Sequence, residues 1–293
     1  MIRNSISYIF FVSVWLASSC QTSSNGQQKS KEKTAAVSNF DYDLTSPKTY
    51  KLNSALDEIS GIAFHPENAN LIYAIQDEEG KLFTYDLMQS KIVDEFSFGK
   101  NGDYEDIATD GKYFYILKSN GDIHYFPVNH NKNKANVEIV KNVLPKGEYE
   151  SLALNPLDQS LLVLCKDCKV DKSNGRVTGY KFSLQQNKLS TTFTTFTLDI
   201  DSLRKWDENI SKTIKPSAMT FNAVKKEWYI ISSIDKILIV TNDAFQPTNI
   251  LTFTRNQFEQ PEGLAINNSG DLFISSEIGD SNAAAIYQFK SNK

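Results

Sequence analysis

Three glutamates recur inside one short phrase, and no other residues of the chain gather chemistry so regularly. Glu105 lies in "GDYEDIATDG", Glu150 in "GEYESLALNP" and Glu262 in "QPEGLAINN". Two related phrases, "EISGIAFHP" and "KPSAMTFNA", place Ser60 and Ser217 in the same column. Each phrase passes from the polar column residue into apolar and small residues in alternation, the pattern of a strand. A carboxylate at the start of a buried strand costs free energy, and three of them at one place repel one another unless something positive sits among them. The phrase therefore marks a place built to hold positive charge.

The spacing says what positions these residues. Along the column, three of the four intervals are 45 residues and the third is 67. A period near 45 accommodates about four strands, the blade of a propeller. Each phrase is followed by an aromatic or aliphatic run ("LIYAI", "YFYIL", "LLVL", "WYII", "LFIS"), a turn, and a third run ("LFTYDL", "IHYFPV", "VTGYKF", "ILIVT", "AIYQF"). A fourth run follows in four units only: "IVDEFSF", "VEIVKNV", "TTFTTFTL" and "NILTFT". The fold expected is all-β, a five-bladed β-propeller. The last unit lacks a fourth strand, and "KTYKLN" from Lys48 belongs to no unit, so this N-terminal strand is expected to close the ring and remove an exposed edge. Residues two apart share a face of a strand. Gly61, Asp106, Ser151, Ala218 and Gly263 thus share a small face with Ala63, Ala108, Ala153, Thr220 and Ala265. Ile62, Ile107, Leu152, Met219 and Leu264 take the other face, into inter-blade packing, and the glutamate column falls at one mouth of the central channel.

The N-terminus reads differently. Residues 1–19 have Arg3, an apolar core from Ile6 to Leu16 and then small residues, which is a secretory signal layout. Cys20 directly after "LASS" resembles a bacterial lipobox, which implies cleavage before Cys20 and its lipidation. Residues 20–43 are mostly polar and read as a flexible tether, and residues 44–293 as the propeller. Position 21 is Gln rather than Asp, which points to the outer membrane within the cell envelope. The expected partners are the lipid bilayer through acylated Cys20 and a small-molecule or protein ligand, bound by a monomer. Net charge is −4 with both signs interspersed, so no basic stripe argues for nucleic acid.

Other motifs are weaker. Cys165 and Cys168 form "CKDC" without the context of a thioredoxin motif, so a local disulfide or two unpaired thiols is expected rather than redox catalysis. His65, His124 and His130 have no metal-ligand spacing, and no nucleophile–base order or phosphate loop is legible. The long interval carries 22 extra residues, too few for a sixth blade. Within them "DIDSLRKWDENISKT" reads as one short helix capped by Asp199 or Asp201, with Leu203, Trp206 and Ile210 on one stripe. It is expected either to pack on blade edges or to lay Trp206 over the glutamate mouth as a partial lid.

With "YEDIA", "YESLALNP" and "QPEGLAINNSGDLFISSE" in this order, the chain resembles the SdiA-regulated propeller family of bacteria, and more distantly NHL-type repeats. The resemblance implies a calcium ion (Ca2+) near the axis and no established enzymatic activity. Carried onto this chain, it makes Glu105, Glu150 and Glu262 the ligand candidates, followed by Glu277 of "SSEIGD", at the end of the neighbouring strand. Calcium takes about six to eight oxygens in flexible geometry, whereas magnesium wants a tighter octahedron and zinc wants nitrogen or sulfur. Asp77, Asp167 and Glu58 reach the same rim and are expected to pair with lysines or backbone amides instead. Two functions follow: a membrane-anchored calcium-binding propeller acting as a binding or scaffold module, or a calcium-dependent hydrolase of a small ester, lactone or phosphoester. Against the hydrolase, Arg176, Arg204 and Arg255 are scattered and form no phosphate-gripping cluster.

Overall fold

Runs of β-branched and aromatic residues bounded by Gly, Asn and Asp turns each become one strand. The computed structural model describes residues 40–129, 136–172, 174–185, 188–254 and 256–292. The signal-like segment and Cys20 lie outside the described residues. Strand β1 (Lys48–Lys51) precedes the repeats. Blade one holds β2 (Ile59–His65), β3 (Asn68–Gln76), β4 (Lys81–Asp86) and β5 (Lys91–Ser97). Blade two holds β6 (Tyr104–Thr109), β7 (Tyr113–Lys118), β8 (Ile123–Pro127) and β9 (Glu138–Val140). Blade three holds β10 (Gly147–Asn155), β11 (Ser160–Cys168), β12 (Arg176–Gln185) and β13 (Lys188–Asp199). Helix α1 (Ile200–Trp206) leads to blade four, with β14 (Ala218–Asn222), β15 (Glu227–Ser232), β16 (Ile237–Asn242) and β17 (Pro247–Thr252). Blade five holds β18 (Gln260–Ile266), β19 (Leu272–Glu277) and β20 (Ala285–Phe289).

Within each blade the strands follow chain order and pair antiparallel. The first strands β2, β6, β10, β14 and β18 touch one another in sequence, and β18 touches β2, so the ring closes. The fifth sheet is completed by β1, which pairs with β20 from Lys48 opposite Gln288 to Lys51 opposite Ala285. The N-terminal strand thus closes the ring, as the missing fourth run of the last unit requires. Tyr50 is buried by this pairing, and its hydroxyl donates to Gln288 Oε1 at 2.9 Å. The contacts begin ahead of residue 44: Tyr42 is buried and bridges to Ser291.

The register explains the two faces of the inner strands. Ile62, Ile107, Leu152, Met219 and Leu264 are each buried in the apolar cluster shared with the preceding blade. The small face turns to the following blade, at backbone-to-backbone range. A Cβ added to Gly61 would stand 2.6 Å from the Cα of Asp106, so only glycine fits there. Asp106 itself staples blades two and three, accepting from Leu152 N at 2.7 Å and Ile107 N at 2.8 Å.

The helical insertion forms but is shorter than expected, ending at Trp206 with Ile210 beyond it; Asp199 is its cap, and its Oδ1 accepts from Asp201 N at 3.0 Å. Ile200, Leu203, Ile210 and Ile214 are buried between blades three and four, and α1 rests on β12 and β17, the third and fourth strands. Trp206 is left half-exposed. This is the edge-packing helix. The lid expectation fails because the helix sits on outer strands rather than over the inner ones.

Candidate functional site

The glutamates stand where they do because the inner strands are bulged at the column. The pairing of β6 with β7 steps from Tyr104 to Asp106 and leaves Glu105 out of the ladder. In the same way β10 skips Glu150 between Tyr149 and Ser151, and β18 skips Glu262 between Pro261 and Gly263. Blade one is irregular at the same point, between Ile59 and Ile62. A bulge re-aims a side chain without ending the strand. Here it turns each of the three column glutamates out of the ladder at the mouth while the next residues return to packing register; blade four, with Ser217 in the column, pairs without a bulge.

Blade three has a second irregularity on the facing strand. Tyr149 pairs with Cys165 and Glu148 with Asp167, so Lys166 is also left out of the ladder. Two adjacent bulges on facing strands bring Lys166 Nζ onto Glu150 Oε1, with Glu148 Oε1 at 3.6 Å. Lys166 sits between Cys165 and Cys168, which are joined in a disulfide, and both cysteines are buried. Gly147 gives the disulfide room, since a Cβ there would run into Cys168 Sγ.

The four glutamates singled out from sequence converge electrostatically on this mouth. Burial first, and then the Asp103 charge, push Glu105 up to about 8 against the opposing charge of Lys166. Burial also pushes Glu277 up to about 8, with the charges of Glu262, Glu58 and Asp77 adding to it. Glu262 is raised by burial, and Lys166 together with the Ser233 and Ser217 hydroxyls pulls it back. Glu277 Oε2 also accepts from Gln260 Nε2 at 2.6 Å. Among the described residues, no three of these carboxylates bring oxygens within 4.8 Å of one another; the one trio of potential ligands that does so is Cys165, Cys168 and Asp171, whose thiols are taken by the disulfide. Lys166 stands among the carboxylates instead.

Two polar atoms at this mouth are buried with no hydrogen-bond partner: Glu150 Oε2 and Asp77 Oδ1. An unsatisfied buried carboxylate oxygen is costly, and it calls for a further partner, a water or a cation. Asp167 pairs with Lys215 at 3.3 Å, the structural role expected of it. Asp77 differs from that expectation: it has an unpaired oxygen, and burial and its acidic neighbours Glu58, Glu78 and Asp103 raise it. Ser217 is committed to the ring, donating to Pro261 O at 3.0 Å and accepting from Ser233 N at 3.2 Å. Lys166 is the residue the sequence reading missed. Its signal was the second bulge opposite Glu150, which a strand pattern alone does not show.

A cavity lies at the opposite mouth. It holds about 520 Å3 and is lined mainly by apolar residues such as Phe64, Leu154, Phe221 and Ile266, with Asp41 and Lys225 paired at 2.5 Å on its rim. Among the described residues, the buried carboxylate oxygens without a hydrogen-bond partner, at Glu150 and Asp77, lie at the glutamate mouth instead.

The comparisons with known proteins agree with this architecture. No curated protein matches the sequence. Among solved structures, the glutaminyl cyclase of Myxococcus xanthus is similar with a TM-score of 0.56 at 12% identity, over 83% of this chain and 94% of that one. A luciferin-regenerating enzyme gives a TM-score of 0.49 at 12% identity, covering 84% of this chain and 96% of that one. A chain of a nidogen/laminin complex gives 0.49 at 13% identity, covering 74% and 72%. At such identities the cyclase likeness shows a shared fold and nothing more. The sequence profile of one family, SdiA-regulated, spans residues 33–280, which takes in all five inner strands and the glutamate mouth; the chain belongs to the SdiA-regulated family.

Proposed function

We propose that this protein is a calcium-binding propeller of the cell envelope, held to the outer membrane by lipidated Cys20, and that it acts as a binding module whose ligand meets the glutamate mouth. The observation that carries the calcium reading is Glu150 Oε2, buried and without a partner, beside a second orphan at Asp77 Oδ1. An all-oxygen donor set of Glu105, Glu150, Glu262 and Glu277 suits a hard cation and offers nothing to a soft one. When bound, calcium would supply the positive charge that these carboxylates lack. The chain's own part is to hold the donors on bulges of a closed ring, exclude water by burial, and keep Lys166 as the resident counter-charge. Ion entry requires Glu105 and Glu277 to give up protons and Lys166 to yield its place on Glu150.

One observation favours the hydrolytic alternative. Burial pushes the Glu105 and Glu277 carboxyls up to about 8, toward the range in which a carboxyl serves as general acid or base. That reading needs turnover in an esterase, lactonase and phosphatase screen that chelation abolishes.

The test of the calcium reading is thermal. An ion that binds only the folded chain raises the melting temperature with the logarithm of its concentration. Calcium should raise it for the natural sequence and much less for Glu105→Gln combined with Glu262→Gln. An equal response in both proteins puts the ion elsewhere.

A further inference from the structure

A second concavity lies beside the glutamate mouth, between the end of β11 with its following turn and the tail of the helical insertion. It has a volume of about 220 Å3. Five cations line it, Lys166, Lys172, Arg176, Lys212 and Lys215, against two carboxylates, Asp167 and Asp171. That excess stands out in a chain whose net charge is −4.

The two carboxylates are already engaged. Asp171 accepts from Thr178 N at 2.9 Å and from Thr178 Oγ1 at 2.5 Å, and Arg176 Nε reaches it only at 3.9 Å. Asp167 is paired with Lys215. Among the described residues neither Lys172 nor Lys212 has an ion pair. The walls are apolar: Val177, Ile200 and Ile214 are buried, and the disulfide forms another side. Charges that converge on a concave surface with apolar walls act more strongly than charges on an open face. The volume lies below the range of about 300–1,000 Å3 usual for whole drug-sized ligands, so the pocket fits one functional group or a small ion.

We propose that this pocket is an anion-binding site that takes a phosphate or carboxylate group, with Lys172, Lys212 and the guanidinium of Arg176 as its donors. Arginine's planar fork matches either group, and lysines add point charge. The site gives the tail of the insertion a role: residues 212–215 supply two of the cations, while α1 holds that tail against blades three and four. It stands apart from the calcium reading, sharing only Lys166 and the rim residue Asp167 with the mouth.

The test is a calorimetric titration of the full chain in the presence of chelator at constant ionic strength, with inorganic phosphate in one arm and acetate in the other. Saturable binding in either arm is expected, and the arm that saturates first names the group. Lys172→Gln with Lys212→Gln should weaken it by ~tenfold or more, the loss of about one charge-assisted contact; Lys91→Gln, an exposed lysine on β5, should leave it unchanged. The native protein gives a second reading: the saturating anion should protect Lys172 and Lys212 from acetylation, scored by mass spectrometry. Absence of saturation in both arms, equal affinity in the double variant and the control, or unprotected lysines would overturn the proposal. Because chelator is present throughout, none of these outcomes bears on calcium.

Discussion

Replacing Lys166 by methionine should tighten calcium binding at the glutamate mouth while weakening the ion-free protein. Lys166 Nζ rests on Glu150 and stands 3.6 Å from Glu148, and its charge also reaches Glu105, Glu262 and Glu277. Two unit charges about 4 Å apart interact by about 1 kcal/mol in water and about 4 kcal/mol at an effective dielectric of 20. The side chain is 19% exposed, which favours the upper end, but it can swing outward when an ion enters, which caps the cost. Removing the competitor should therefore gain about 1–3 kcal/mol, or ~fivefold to 150-fold in affinity. Without calcium the same change leaves Glu150 buried and unpaired, so the melting temperature should fall. The assay is calorimetric titration of calcium into chelator-stripped full chain, natural and Lys166→Met, with parallel melts. Unchanged or weaker calcium affinity in the variant would refute the competition. Absence of binding in both proteins would refute the calcium site itself.

In chelator, stability should fall as pH rises from the ordinary carboxylate range to about 8, because the folded chain keeps protons on Glu105 and Glu277 that the unfolded chain releases. The contribution is fully present at low pH and lost through the folded value; melting temperatures that stay flat across that window would contradict it. Reducing the Cys165–Cys168 bond should cost about 2 kcal/mol, the modest amount a loop this short allows, seen as a lower denaturant midpoint with dithiothreitol. Asp106→Ala should cost about 2–4 kcal/mol, since Leu152 N and Ile107 N lose their buried acceptor; a chemical melt within 1 kcal/mol of the natural protein, about the least loss expected from one stranded donor, would show that water replaces the carboxylate. Cys20→Ser should release the protein from membrane fractions, and continued sedimentation with membranes would exclude lipid anchoring.

The ring was legible in the sequence because closure is a counting problem. Four runs per unit, one run missing at the end and one spare at Lys48 leave a single economical pairing, and β1 makes it with β20. The two faces of the inner strands were legible because small and large residues alternate there with period two. The mouth was only half legible. The column of Glu105, Glu150 and Glu262 is a periodic feature, but its cause is a bulge at each position, and a bulge breaks the periodicity from which strands are read. Lys166 had no column at all. It is placed by a second bulge and bracketed by the disulfide, so its approach to Glu150 depends on three-dimensional pairing. Trp206 was misplaced for another reason. The helix ends at Trp206, so Ile210 lies beyond it and Trp206 does not share the buried face of Leu203; the periodicity also does not say which strands the helix rests on, and here they are β12 and β17.

The most direct measurement is anomalous scattering from crystals of the protein grown with calcium and then exchanged into terbium, an oxygen-seeking ion that scatters strongly. The proposal predicts one peak among Glu105, Glu150, Glu262 and Glu277, with Lys166 moved off Glu150. A peak elsewhere, or no peak at this mouth with Lys166 still on Glu150, would contradict it.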